Sequence, residues 1–530
     1  MRFNRQCLLN CLWCYYGRLM SIENLQARQW YERETKKFPT RQTGIHKDLC
    51  LILLCKSRIL AGTMTQFHNE ESTHIIDILT KYNTHFYFPE TNIESFFSIL
   101  FLYYLCTKQK YMNRIILIGN GFDLAHGLPT SYGHFIDWYW EQWLDVLKKS
   151  TLRKESDALC ELTLNYSTAW DVFLETKMNG ESHINARKIL NDLKSDLDIN
   201  IKYSDLLLEI TKSIETKGWV DIENDYYKLL KFSFDKSRYQ RPRIENLNKQ
   251  LFFLRKKLIE YLCSIKIDEQ MRNDKIAEII YAPINHKDIS VSDTNKLIEH
   301  IQRCLTCSDD EFMWKMGLYK ISHLDFLYIN KFRDAQDCTE NTILTKILAN
   351  KYPKEFFLPD EMMILNFNYT NTAKLYLPIA KPGFEINHIH GELSVPESII
   401  FGYGDELDEN YKEISNLNDN EYLQNFKSIK YLESDRYRKA LRFMDAAPYQ
   451  VFILGHSCGN SDRTFLNTLF EHKNCVSIKP YYYKNGDKDN YLEIVQNISR
   501  NFTDMKLMRD RVVNKTYCAP FSEIHKKEGV

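Results

Sequence analysis

Apolar and polar positions show no sustained period through residues 1–111, and from Met112 onward they fall into short, readable elements. Arg114–Ile118 is an apolar run of strand length. It is followed by a glycine turn and by FIDWYWEQWLDVLKK (Phe135–Lys149), where Phe135, Trp138, Tyr139 and Trp143 fall at helical spacing. From about 150 to 358 the pattern is mostly helical. ITKSIETKGWVDIENDYYKLL (Ile210–Leu230) breaks at Gly218, and NLNKQLFFLRKKLIEYLCSI (Asn246–Ile265) aligns Leu251, Leu254, Leu258 and Leu262 on one face. Strand-like runs return after Pro359: Met362–Phe367, Ile386–His390, Ile399–Gly402, Tyr449–Gly455 and Cys475–Tyr483. Two helices accompany the last of these, Ser461–Lys473, with Ser461 or Asp462 as its N-cap, and Asp487–Ser499. Strands alternating with helices predict an α/β fold, a Rossmann-like, doubly wound, mainly parallel sheet with a large helical insertion. The expected organisation is an atypical extension over 1–111, the first part of a nucleotide-binding domain over 112–150, the insertion or cap over 151–358, the rest of the domain over 359–505, and a tail over 506–530. The abrupt change of pattern at Met112 makes that methionine the expected native start.

Composition narrows the class. Lys plus Arg and Asp plus Glu both number 70, so a net charge of zero gives no global pull toward nucleic acid or an anionic membrane. The apolar stretch Ser95–Cys106 falls short of the about 20 residues that cross a bilayer. It reads as a buried helix, and no membrane association is expected. The 14 cysteines lack the spacing of a small disulfide scaffold, and no secretory signal is evident, so a reducing cytoplasm is expected. The pairs Cys11/Cys14 and Cys304/Cys307 lie far apart with no His pair beside either, and no metal is expected.

Four stretches carry candidate chemistry. In IILIGNGFDLAHGLPTSYGHF (Ile115–Phe135), Gly119 and Gly121 permit close backbone approach after a strand, Asp123 is placed to cap the following helix, and Gly127 is a late third glycine. The absence of a lysine excludes a P-loop here. ILNFNYTNT (Ile364–Thr372) ends a strand in Asn366, Asn368 and Asn371, with Asn371 expected to cap the next helix. NHIHGEL (Asn387–Leu393) carries His388 and His390, from which no metal pair is expected, and His390 is a general-base candidate before Gly391. ILGHSCGNSD (Ile453–Asp462) repeats the strand–glycine–polar-turn outline through Gly455 and Ser457.

GNGFDLAHGLPTSY, WVDIEND, LNFNYTNT, HIHGEL, IIFGYGD and LGHSCGNSD, in this order over about 112–505, resemble the bacterial abortive-infection family AbiH. The same order distantly resembles sirtuin-like NAD-binding domains of phage-defence effectors, though Asn120 and Thr370 stand where alanine and aspartate are usual there. The resemblance implies an anti-phage effector that binds NAD and cleaves its nicotinamide–ribose bond. Asn368 and His390 would be catalytic. Gly119, Asn120, Gly121, Asp123, Gly127, Gly455 and Ser457 would hold the nucleotide. It also implies a phage-derived trigger and leaves a homo-oligomer open. Two other readings remain: a non-catalytic nucleotide or ADP-ribose sensor, favoured by Thr370, and a nucleic-acid-targeting effector using basic helices such as Phe252–Leu262. The apolar residues alternating along that helix fit an ordinary solvated face, so nucleic acid is not the expected partner.

Overall fold

A computed structural model describes residues 112–522 apart from 178–185, 218–220, 236–241, 308–311, 313–314, 316–318, 320, 335–337, 378–382 and 405. The fold below is that of the unit 110–530. Ser95–Cys106, the Cys11/Cys14 pair and Gly218 lie outside the described residues.

The strands are β1 (Asn113–Ile118), β2 (Lys154–Ser156), β3 (Cys160–Leu164), β4 (Ile199–Tyr203), β5 (Met362–Asn366), β6 (Phe384–His388), β7 (Tyr449–Leu454), β8 (Cys475–Asn485), β9 (Lys488–Asp489) and β10 (Pro520–Ser522). The central sheet has the order β10-β8-β7-β1-β5-β6 with β9 added to β8, and every pair is parallel except β8–β9. Its middle strands read as continuous apolar runs because both faces are covered. From β1, Ile115 and Leu117 enter a core with Phe443, Met444, Phe465, Leu466 and Ile498, and Ile116 and Ile118 enter another with Phe122, Ile276, Ile280 and Tyr376. Each such side chain, fully withdrawn from water, contributes about 1.5–3 kcal/mol. The helices bearing these partners lie on both faces, so the protein is α/β with a mostly parallel sheet, as the alternation of patterns predicts.

The region expected as one helical insertion has two parts and a sheet of its own. Helices Tyr132–Lys149, Asp205–Lys217, Ile222–Phe234 and Ile244–Ser264 share a core with the antiparallel sheet β2-β3-β4 and with Ile399, Phe401, Tyr403 and Phe426. The strands were hidden by length: CELTL alternates buried and half-buried positions for only five residues. The described residues between 274 and 358 instead return to the central sheet, through Ile276 and Ile280 and through Leu297, Ile301 and Ile343 beside Met112 and Val476.

Three further expectations need correction. Ile399–Gly402 is not a strand, because its backbone is held by other groups: Ile400 N donates to His390 O (2.9 Å), Gly402 N to Glu223 Oε1 (3.1 Å) and Tyr403 N to Asn425 O (3.1 Å). The strand read as Ile386–His390 is β6, Phe384–His388, so His390 lies past it in a turn. The expected tail contains a helix, Met505–Arg511, capped by Asp504, and then β10, which pairs with β8. No helix among the described residues is long and apolar enough to cross a membrane.

Candidate active site

In the sheet order, β1 sits between β5 and β7. The chain goes from β1 to β5 and β6 on one side, then crosses to β7 and β8 on the other. A parallel sheet opens a crevice at the carboxyl ends of its strands where the direction of winding reverses. The segments after β1, β5, β6 and β7 hold Gly119, Asp123, Asn368, His390 and Gly455.

The two glycine turns pack on each other. Gly121 N donates to Gly455 O at 2.8 Å, and Gly455 has φ +73°. A Cβ on Gly455 would lie 2.2 Å from Phe122 N; one on Gly119 would lie 2.8 Å from His456 Cα, and one on Gly121 2.8 Å from Gly455 O. These glycines are therefore required by backbone packed on backbone. The helix that follows, Asn120–Leu124, is a short one. Asn120 is exposed and accepts from Thr130 Oγ1 at 2.7 Å. Gly127 has φ +75° with nothing within 4 Å of a Cβ, so it serves the turn alone. Ser457 is exposed, and its carbonyl accepts from Asn497 Nδ2 at 2.8 Å.

Asp123 does not cap that helix. It is buried within it and accepts from Thr370 Oγ1 at 2.6 Å through Oδ2, whereas Oδ1 is buried without a hydrogen-bond partner among the described residues. Burial raises its pKa to about 6, against the opposing pull of Thr370, Thr372 and Asn368. Asn368 Nδ2 donates to Gly119 O at 2.9 Å, which ties the end of β5 to the first glycine turn. Asn366 organises the loop: its Oδ1 accepts from Asn368 N (2.9 Å), and its Nδ2 donates to Thr370 O (3.0 Å) and faces His388 Nδ1 (3.1 Å). Asn371 occupies the cap position of the short helix Thr372–Leu375 but makes no capping bond, since the turn is closed by the backbone bond Lys374 N to Asn371 O.

His390 belongs to a buried charge network. Its Nε2 is 3.2 Å from Asp462 Oδ1 and 3.2 Å from the Tyr431 hydroxyl. Burial, with Lys427 nearby, lowers its pKa to about 4, so the ring is neutral at pH 7. Asp462 precedes the helix Arg463–Glu471, yet its carboxylate makes no capping bond and turns inward. Lys427 Nζ lies 2.8 Å from Asp462 Oδ1 and 2.7 Å from Glu223 Oε2, and all three side chains are buried. Burial raises the Glu223 carboxyl to about 7 despite Lys427. His456, on the β7 turn, places Nε2 3.6 Å from Asp462 Oδ2.

Residues 115–483 match the family model described as bacteriophage abortive infection AbiH. The chain belongs to the AbiH family. The matched span runs from β1 into β8 and contains every residue of this crevice and its charge network. No curated protein and no solved structure matches the chain. Membership implies a role for this AbiH protein in abortive infection by bacteriophage. Of its functional candidates, Glu223 and Lys427 were not foreseen from the sequence as site residues, and Asp462 was foreseen only as a cap. The usable signal was the buried side of WVDIEND: Glu223 stands between Ile222 and Tyr226 on an apolar helix face, where an acid calls for a partner.

Proposed function

We propose that this AbiH protein acts in abortive infection by binding NAD in the crevice beside β1, in the manner of a Rossmann-like sheet, and by hydrolysing the nicotinamide–ribose bond. The observation that carries this reading is the buried Oδ1 of Asp123, which accepts no hydrogen bond among the described residues, beside Thr370 and Asn368. A buried acceptor without a donor costs about 1–3 kcal/mol and calls for a ligand donor. Ribose hydroxyls are such donors. Asn368, held against Gly119 O by one amide hydrogen, keeps its carbonyl oxygen to orient water or ribose. The nicotinamide leaving group already carries positive charge, so the protein's task is to steady an oxocarbenium-like ribose and to deprotonate water. A neutral His390 suits the second role.

Incubating the pure protein with NAD, with and without lysate of phage-infected cells, tests the reading. Nicotinamide and ADP-ribose should appear in equal amounts, and His390→Ala should abolish them. No nicotinamide under any trigger, together with full phage protection by the alanine variant, would sink it. Sensing without turnover is favoured by one observation: Thr370, where the sirtuin-like pattern has aspartate, gives its hydroxyl to Asp123. Tight ADP-ribose binding with no NAD loss would identify that alternative.

A further inference from the structure

We infer that Asp462 is a positioning residue that keeps the proton of His390 on Nε2 and leaves Nδ1 as the proton-accepting atom, and that Lys427, backed by Glu223 from the insertion, holds Asp462 in place. The inference rests on the proposed NAD hydrolysis for its substrate, but its geometry stands apart from it.

Two oxygens face His390 Nε2, Asp462 Oδ1 and the Tyr431 hydroxyl, each at 3.2 Å. Burial alone would raise the Asp462 carboxyl, but Lys427, His390 and His456 outweigh it and hold the group well below the usual carboxylate range, so it is ionised. A bare lone pair on Nε2 would point at that negative charge, whereas an N–H there donates to it. Nε2 therefore carries the proton. Nδ1 keeps its lone pair and makes no hydrogen bond among the described residues. Phe367 packs edge-on against His390 and against His456, with centroids 4.8 and 4.4 Å away, and restrains both rings.

The far side of Asp462 is also fixed. His456 Nδ1 accepts from Cys458 N at 2.9 Å, which puts its proton on Nε2, facing Asp462 Oδ2. Cys458 holds φ +54°, an unusual conformation for a residue with a side chain, in presenting that N–H. Lys427 bridges Asp462 to Glu223, Glu223 accepts from Gly402 N, and Ile400 N, two residues back, donates to His390 O. The result is a closed circuit: His390, Asp462, Lys427, Glu223 and the 400–402 backbone. A buried ion pair is weak evidence for stability, since apolar groups of the same volume serve as well. This one ends on a histidine at a strand-end crevice, which gives it a chemical use.

In the step this serves, the C1′–N bond breaks and its electron pair neutralises the nicotinamide ring. The water oxygen bonds to C1′, and its proton passes to His390 Nδ1. The imidazolium so formed faces the Asp462 carboxylate until the proton leaves to solvent. Nothing is oxidised or reduced.

Long-range 1H–15N correlation on full-length protein labelled with 15N-histidine reads the tautomer directly, and the signal missing from His390→Ala identifies the ring. In the wild type at pH 7 the ring should be the Nε2–H form. Asp462→Asn should shift it toward Nδ1–H and lower kcat for NAD about a hundredfold or more, with KM within about threefold. A wild-type Nδ1–H tautomer, or an Asp462→Asn protein with tautomer and kcat unchanged, overturns the inference. If that variant does not fold, the wild-type tautomer decides. A wild-type Nε2–H ring with no NAD turnover under any trigger supports the proton placement and overturns the NAD reading alone.

Discussion

Asp123 has one satisfied oxygen and one left over. Its folded-state pKa of about 6 lies above the ordinary 3.8, so the protonated form is the one the fold favours. Stability from this group is then fully present below about pH 4 and is lost as pH rises through about 6. Asp123→Asn should match the wild type near pH 4 and exceed it by about 2–3 kcal/mol at pH 8, in urea titrations at the two pH values. The same substitution should weaken the proposed nucleotide binding at pH 8, because the amide returns only one acceptor. Lys427 is the opposite case. Its ammonium is buried between two carboxylates, and Lys427→Met leaves both without a counter-charge. That loss should cost about 3–5 kcal/mol by urea denaturation, and Glu223→Gln, which leaves Lys427 paired with Asp462 and gives up one of the two hydrogen bonds Glu223 accepts, should cost less.

Turns behave as elements here. Gly455 and Gly127 share a left-handed φ near +75°, but only Gly455 has backbone where a Cβ would go. Gly455→Ala should therefore cost several times the roughly 1 kcal/mol expected of Gly127→Ala, in paired thermal melts. If the glycines served mainly to admit a phosphate, Gly455→Ala would instead abolish ligand binding and leave the melting temperature near that of Gly127→Ala. Most elements were legible in the sequence, since β1, β5, β7 and β8 are apolar runs punctuated by glycine or asparagine and the long helices are periodic. Ile399–Gly402 misled because an apolar run signals burial, not strand pairing. The candidate site was half legible. Asn368, His390 and the glycine turns announce themselves by their place at strand ends, whereas the partners of Asp462 do not. Glu223 and Lys427 lie 204 residues apart, and no local pattern reveals which buried acid meets which buried lysine.

Across the whole molecule, the end of the described chain supports its beginning. Phe521 stacks on Phe122, the residue after Gly121, at 6.1 Å, and β10 covers the edge of β8. Removing residues 506–530 should lower the melting temperature and expose the β8 edge, with self-association seen by light scattering. β1 finds its neighbours far along the chain. Asn368 meets Gly119 across 249 residues, and Arg114 meets Gln450 across 336. At about 5–20 residues per second, the ribosome needs roughly 12–50 s after making β1 to deliver its first partner, and longer for the second. Until then neither wall of the crevice exists. Under the proposed NAD hydrolysis, a cell would thus hold only inert nascent chains, and the hazard would begin when synthesis is nearly complete.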